Sequence, residues 1–246
     1  TNTFAAALVA QGVKKGDRVA LLLPNSPQSI IAQLGVWKAG AIAAPINSLY
    51  TPRELEHALN EVGAETVVVL TPFYDKVKSL QAGTPVRRVI ATNIKEYLPL
   101  HMRWLFTLVK EKKEGHRIQL QPGDLWWQDL MHQHVDAPRP AVALALDDPA
   151  ILLFSGGTTG TPKAALGTHH ALLMSAMQLH AYGRTMLADW DDIIALVMPM
   201  FHVYGNMALN TSLVARWPMA VVPNPRDIDD LPATITTARP AVLHGV

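Results

Sequence analysis

An α/β chain, built of layered sheets flanked by helices, is what this sequence predicts, and three observations carry the prediction. Short, mostly apolar runs such as Arg18 to Leu23 and Glu65 to Leu70 alternate with stretches that are apolar at helical spacing. Strands separated by helices return in the same direction, so the sheet they build is expected to be parallel. The composition can fill a core: 49% of the 246 residues are hydrophobic and 17% are charged, a globular balance.

The elements follow in order. Phe4, Leu8 and Val9 predict an opening helix that ends near Gly12, and Arg18 to Leu23 reads as a buried strand stopped by Pro24. Ser29 to Ala39 is apolar at helical spacing and closed by Gly40, and Ala41 to Pro45 is a short strand. Thr51-Pro52-Arg53-Glu54 combines a hydroxyl cap, a proline where the N–H has no partner anyway, and a glutamate that can bond back to the cap. A helix therefore starts at Pro52 and runs to about Val62. Glu65 to Leu70 follows as an inner strand, and Arg88 to Ala91 as a weaker one.

Residues 75 to 147 give few other signals. Within them Tyr97 to Lys113 gathers Leu98, Leu100, Met102, Trp104, Leu105, Phe106, Leu108 and Val109 ahead of Lys110, Lys112 and Lys113. Two readings stand for 97–113. One is a helix that covers the sheet and ends in lysines, which suit a helix C-terminus; the other is a peripheral membrane contact.

Charge and cysteine content exclude several functions. The formal net charge is +1 with scattered cations, which argues against nucleic acid as a partner. Cysteine is absent, so disulfides, thiolate metal sites and a cysteine nucleophile are excluded, which fits a reducing cytoplasm. Lys38, Asp147, Asp148 and Asp191 interrupt the richest apolar stretches, so no spanning helix is expected. The chain opens at Thr1, and Lys14 and Lys15 follow the apolar run rather than precede it, the reverse of a signal peptide. It reads as cut from a longer protein.

The chemistry concentrates after the strand Ala150 to Phe154, in Ser155-Gly156-Gly157-Thr158-Thr159-Gly160-Thr161-Pro162-Lys163. Glycines without a Cβ let backbone N–H groups turn inward as an anion nest. Hydroxyls add donors, and Lys163 adds a compact cation suited to phosphate. A P-loop needs its glycine, lysine and hydroxyl residue adjacent, whereas Thr161 and Pro162 separate Gly160 from Lys163. Gly156 and Gly157 are adjacent, so the spacing of a dinucleotide fold is not met either.

SGGTTGTPKAAL resembles the signature loop of adenylate-forming enzymes, and flanking pieces resemble bacterial fatty-acid CoA ligases in the same order: GVKKGDRVALLLPNSP, WKAGAIAAPINSLYTPRELEHAL, MPMFHVYG and VPNPRD. The family usually has glycine after the lysine; this sequence has Ala164. The resemblance implies the large N-terminal domain of such enzymes, truncated, with the C-terminal domain absent. A first α/β subdomain is expected over 14–190 and the start of a second over 191–246. The second is expected to be incomplete, with an open apolar face.

The implied reaction is the ATP-dependent activation of a fatty acid to an acyl adenylate and then to acyl-CoA. ATP phosphates would sit on Ser155, Gly156, Gly157, Thr158, Thr159, Gly160, Thr161 and Lys163. Lys163 and His202 are the catalytic candidates. His202, Val203, Tyr204 and Gly205 would border the acyl group and adenylate; His202 more plausibly shapes that pocket than acts as a base. A lone histidine beside aromatics is also a common core residue. A magnesium ligand is expected in segments beyond this chain, as are the adenine and ribose contacts and a C-terminal lysine, so the fragment alone should be inactive. Loading of a carrier protein instead of CoA, and a non-catalytic nucleotide-binding relative, remain the alternatives.

Overall fold

The structure is a computed structural model that describes residues 1–155, 162–188, 190–224 and 230–243. The predicted phosphate-loop residues Gly156, Gly157, Thr158, Thr159, Gly160 and Thr161 lie outside the described residues.

Helix α1 (Asn2–Ala10) leads to strand β1 (Arg18–Leu22), helix α2 (Pro27–Lys38), β2 (Ile42–Pro45), α3 (Pro52–Val62) and β3 (Thr66–Leu70). Next come α4 (Tyr74–Leu80), β4 (Arg88–Thr92), α5 (Leu100–Val109), β5 (Leu125–Trp126) and α6 (Trp127–Gln133). The hairpin of β6 (Pro149–Phe154) and β7 (Ala164–Thr168) precedes α7 (His169–Gly183). Then β8 (Ile194–Leu196), α8 (Val203–Ala215), β9 (Met219–Val221), α9 (Asp230–Ala238) and β10 (Val242–Leu243) complete the described chain.

The caps explain why the helices start where they do. Thr51 Oγ1 accepts from the Glu54 N–H at 3.4 Å while Glu54 Oε2 accepts from the Thr51 N–H at 2.8 Å, the reciprocal pair that the sequence predicts. Gly63 closes α3 in the left-handed region at φ 63°, where a Cβ would be strained. α2 begins two residues earlier than its apolar spacing predicts, because Ser26 and Ser29 also form a capping box and Pro27 occupies the first turn.

The strands assemble as one seven-stranded sheet in the order β5-β4-β3-β1-β2-β6-β7 and one three-stranded sheet in the order β10-β8-β9. Every pairing is parallel except β6 with β7, which is antiparallel. The prediction of a parallel sheet is therefore corrected at this edge. A nine-residue connection, far shorter than a helical crossover, can only return the chain antiparallel.

Alternate residues of the first sheet feed opposite faces. Val19, Leu21, Val68 and Ile90 pack with Phe4, Leu8, Val36 and Trp127 on the side of α1, α2 and α6. Ala20, Leu22, Val67 and Val89 pack with Leu55, Leu59, Tyr74 and Val77 on the side of α3 and α4. α2 also joins the sheets, since its Ile30 packs against Leu196, Met200 and Leu209.

Of the two readings of 97–113, the sheet-covering helix is overturned. No residue of α5 is buried. Arg103 pairs with Glu96 at 2.6 Å, Thr107 Oγ1 accepts from Lys95 Nζ at 3.2 Å, and Met102, Leu105, Phe106 and Val109 border an open cavity rather than the sheet. Among the described residues no helix is long and apolar enough to cross a membrane.

Candidate functional site

The predicted phosphate loop is held shut at its base. β6 and β7 run in register up to the Phe154 and Ala164 pair. One residue further, the Ser155 N–H donates to the Lys163 carbonyl at 3.0 Å, and Ser155 Oγ donates to the same oxygen at 3.3 Å. His57 of α3 donates from Nε2 to the Pro162 carbonyl at 3.1 Å, because a carbonyl can only accept. The backbone on both sides of the glycine-threonine run is thus fixed, while the Ser155 and Lys163 side chains stay exposed. The Ala164 methyl packs with Tyr50 and Phe154 against the core of the α3 side.

The second candidate segment is a tight turn between β8 and α8. The His202 N–H donates to the Pro199 carbonyl at 3.0 Å, and His202 caps α8, its Nδ1 accepting from the Tyr204 N–H at 3.3 Å. An imidazole that accepts at Nδ1 carries its proton on Nε2. His202 and Val203 are exposed, Tyr204 is half-buried and Gly205 is buried. Gly205 is required by space: a Cβ would lie 2.2 Å from the Pro199 carbonyl oxygen and 2.6 Å from that of Met198.

A buried amide network that the sequence did not reveal holds this turn. Asn25, at the end of β1, donates from Nδ2 to the carbonyls of Leu196 at 3.1 Å and Met198 at 3.0 Å, and its Oδ1 accepts from the Met200 N–H at 2.9 Å. On the other side Asn206 Nδ2 donates to the Met200 carbonyl at 3.2 Å and to Gln33 Oε1 at 2.8 Å, and Asn206 Oδ1 accepts from Asn210 at 2.9 Å. Asn206 and Asn210 one turn apart in a mostly apolar helix, and an asparagine directly after Pro24, were the available signals.

Between the two sheets opens a cavity of about 1060 Å³. Its walls come from the carboxyl ends of β1 and β3, through Asn25 and Pro72, from the β8 exit, through Pro199 and Phe201, and from α5. β1 lies between β2 and β3 in the sheet, so the chain leaves it in opposite directions here. This is the switch point at which open α/β sheets bind ligands. Ser155, Lys163 and the residues from His202 to Gly205 are not among its lining residues. His116, which is, has its pKa pushed below the ordinary histidine value, first by burial and then by Lys95, against the opposing pull of Glu114 and Glu111. Among the described residues no group of three His, Asp or Glu could hold a metal ion.

A mostly parallel sheet that ends in a pinned glycine-threonine hairpin, joined through an amide network to a second parallel sheet, is the fold of the N-terminal domain of adenylate-forming enzymes. The chain belongs to the AMP-binding enzyme family, whose profile matches residues 1–246. Long-chain-fatty-acid–CoA ligases of Escherichia coli O157:H7 and Bacillus subtilis are similar to it, 32% identical over 94% of this chain and 31% over 98%. The chain spans 42% and 43% of their lengths. Among solved structures, a long-chain-fatty-acid-CoA ligase from Archaeoglobus fulgidus superposes with a TM-score of 0.76 at 26% identity, covering 97% of this chain and 41% of the other. An anthranilate CoA ligase in complex with anthranoyl-AMP shares the fold, with a TM-score of 0.78 at 23% identity over 97% of this chain and 42% of the other.

Proposed function

We propose that this chain supplies the phosphate-binding part of an enzyme that activates a fatty acid with ATP and passes it to CoA. In the first step a carboxylate oxygen attacks the α-phosphorus, an acyl adenylate forms and pyrophosphate leaves. In the second the thiol sulfur attacks the acyl carbonyl and AMP leaves.

Negative charge grows on the departing pyrophosphate. Donors that meet that charge stabilise the transition state more than the ground state. Ser155, the glycines and threonines up to Thr161, and Lys163 take this part. His202, with Nε2 as its donor, borders the acyl adenylate together with Val203, Tyr204 and Gly205. The observation that carries the reading is the family match across the whole chain, supported by a loop anchored at both ends with its lysine in solvent. The fatty acid is favoured by the names of the long-chain-fatty-acid–CoA ligases to which the sequence is similar.

ATP–pyrophosphate exchange by the complete protein tests the proposal, with fatty acids of graded length beside an aromatic carboxylic acid. Exchange that depends on a fatty acid and yields acyl-CoA when CoA is added supports it. Silence with every fatty acid refutes it, and exchange with only the aromatic acid moves the substrate class.

A further inference from the structure

One side chain of α3 departs from the helix's own pattern. Leu55, Ala58, Leu59 and Val62 form the buried stripe. His57 falls on the opposite side, where its neighbours at helical spacing, Arg53, Asn60 and Glu61, are exposed. His57 is half-buried instead, because the exit of the β6–β7 hairpin lies over it and the Pro162 carbonyl accepts from its Nε2 at 3.1 Å.

That bond acts on Lys163. The Pro162–Lys163 peptide is trans, so the Lys163 N–H leaves the opposite edge of the peptide plane, away from α3. On its other side the Lys163 carbonyl takes the Ser155 N–H at 3.0 Å and Ser155 Oγ at 3.3 Å. Both peptide planes that flank Lys163 are therefore tied, one to α3 and one to β6. Only φ and ψ are soft in the backbone, so two fixed planes set where the Cα–Cβ bond of Lys163 points. The mount is itself well held. The Thr51–Glu54 box starts α3, Lys76 Nζ donates to the Ser48 and Tyr50 carbonyls just before it at 3.0 and 2.9 Å, and the Tyr50 ring meets Phe154 edge-on at the entry limb.

We infer that His57 is a positioning residue for Lys163: its Nε2–H holds the Pro162 carbonyl, so that the exposed ammonium group starts from one fixed direction. The inference rests on the reading that Lys163 meets the phosphates of ATP. The contact spans 105 positions and makes α3 a support of the phosphate site.

The test uses the complete protein with His57→Met and His57→Gln. Glutamine can place an amide N–H near where Nε2 stands, whereas methionine has similar reach and no donor. His57→Met should weaken calorimetric ATP binding by about tenfold, the worth of one charge-assisted contact. It should lower ATP–pyrophosphate exchange by about 10- to 100-fold, as misplacement of a reacting group does. His57→Gln should recover most of both. In a Lys163→Ala background the methionine change should add little, since the bond acts through that lysine. Three results overturn the inference. One is ATP binding by His57→Met equal to that of the wild type. Another is equal losses in the methionine and glutamine variants, which make bulk rather than the donor decisive. The third is the same loss with and without Lys163, which makes His57 a merely structural contact. A wild type that binds ATP and catalyses no exchange overturns the reaction instead, while ATP binding by the same variants still decides for or against His57. Absence of ATP binding by the wild type overturns both.

Discussion

The side chain of Asn25 and the backbone of Met200, 175 positions apart, are joined by a 2.9 Å hydrogen bond, and the same amide reaches the Leu196 and Met198 carbonyls. One side chain thus clamps the end of β1 to the exit of β8, directly before the His202 turn. Asn25→Ala leaves the buried Met200 N–H without its acceptor and takes a donor from the Leu196, Val197 and Met198 carbonyls, of which Leu196 keeps the Val222 N–H at 3.2 Å. An unsatisfied buried group costs about 1–3 kcal/mol, so a loss of about that size in urea unfolding is expected. Asn25→Asp should be at least as damaging, because a carboxylate would face the Leu196 and Met198 carbonyls without a donor. A change below about 1 kcal/mol in both variants would show that the clamp is dispensable.

Gly205→Ala reverses an ordinary rule. Alanine is favoured over glycine within a helix by about 1 kcal/mol, yet here the new Cβ would lie 2.2 Å from the Pro199 oxygen. The contact is with backbone, so α8 must shift away from the turn that His202 caps. Thermal melting should show destabilisation of about 1–3 kcal/mol. An increase in melting temperature would mean that the turn relaxes freely.

Lys163→Ala separates binding chemistry from folding. The side chain is exposed and the residue's structural bond runs through its carbonyl, so the melting temperature should be unchanged. In the complete protein, ATP–pyrophosphate exchange should fall by about 10²–10³, the usual effect of removing one donor from a developing charge. Lys163→Arg should recover part of the activity. Full exchange by the alanine variant would remove Lys163 from the reaction.

Much of this was legible in the sequence because local physics decided it. Thr51 and Glu54 cap α3 whatever else the chain does, and Thr66 to Leu70 is too short and too apolar for anything but an inner strand. α4 was not legible, since no side chain caps it. β5 is two residues long and is a strand only because Leu125 and Trp126 pair with Ile90 and Ala91. The orientation of α5 escaped for a different reason. An apolar stripe shows that a helix has a face, and not what the face meets; here Met102, Leu105 and Val109 border an open cavity rather than the sheet. At the site, the glycine-threonine motif could be read directly, whereas Asn25 and Gln33 act through contacts 171 to 175 positions apart that no local pattern encodes.

One buried histidine, His116, and one half-buried histidine, His169, should make stability depend on pH. His116 has its Nδ1 2.8 Å from Thr71 Oγ1, and His169 has a buried Nε2 without a hydrogen-bond partner among the described residues. Burial is the largest cause that lowers the pKa of each below the ordinary 6.5. For His169 the nearby Asp148 opposes that shift, and Lys15 adds to it. Above about pH 6.5 both histidines are neutral in the folded and unfolded chains alike, and their full contribution to stability is present. As pH falls below that value the unfolded chain binds protons first, so unfolding becomes easier until the folded pKa values are passed. Carboxylates titrate mainly below about pH 5, which leaves the range from pH 7.5 to 5.5, roughly, to the histidines. Urea midpoints should decline across that range in the wild type and decline less in His116→Gln and His169→Gln, with the two effects adding in the double variant. Parallel slopes in all four proteins would show that neither imidazole is held neutral by its surroundings.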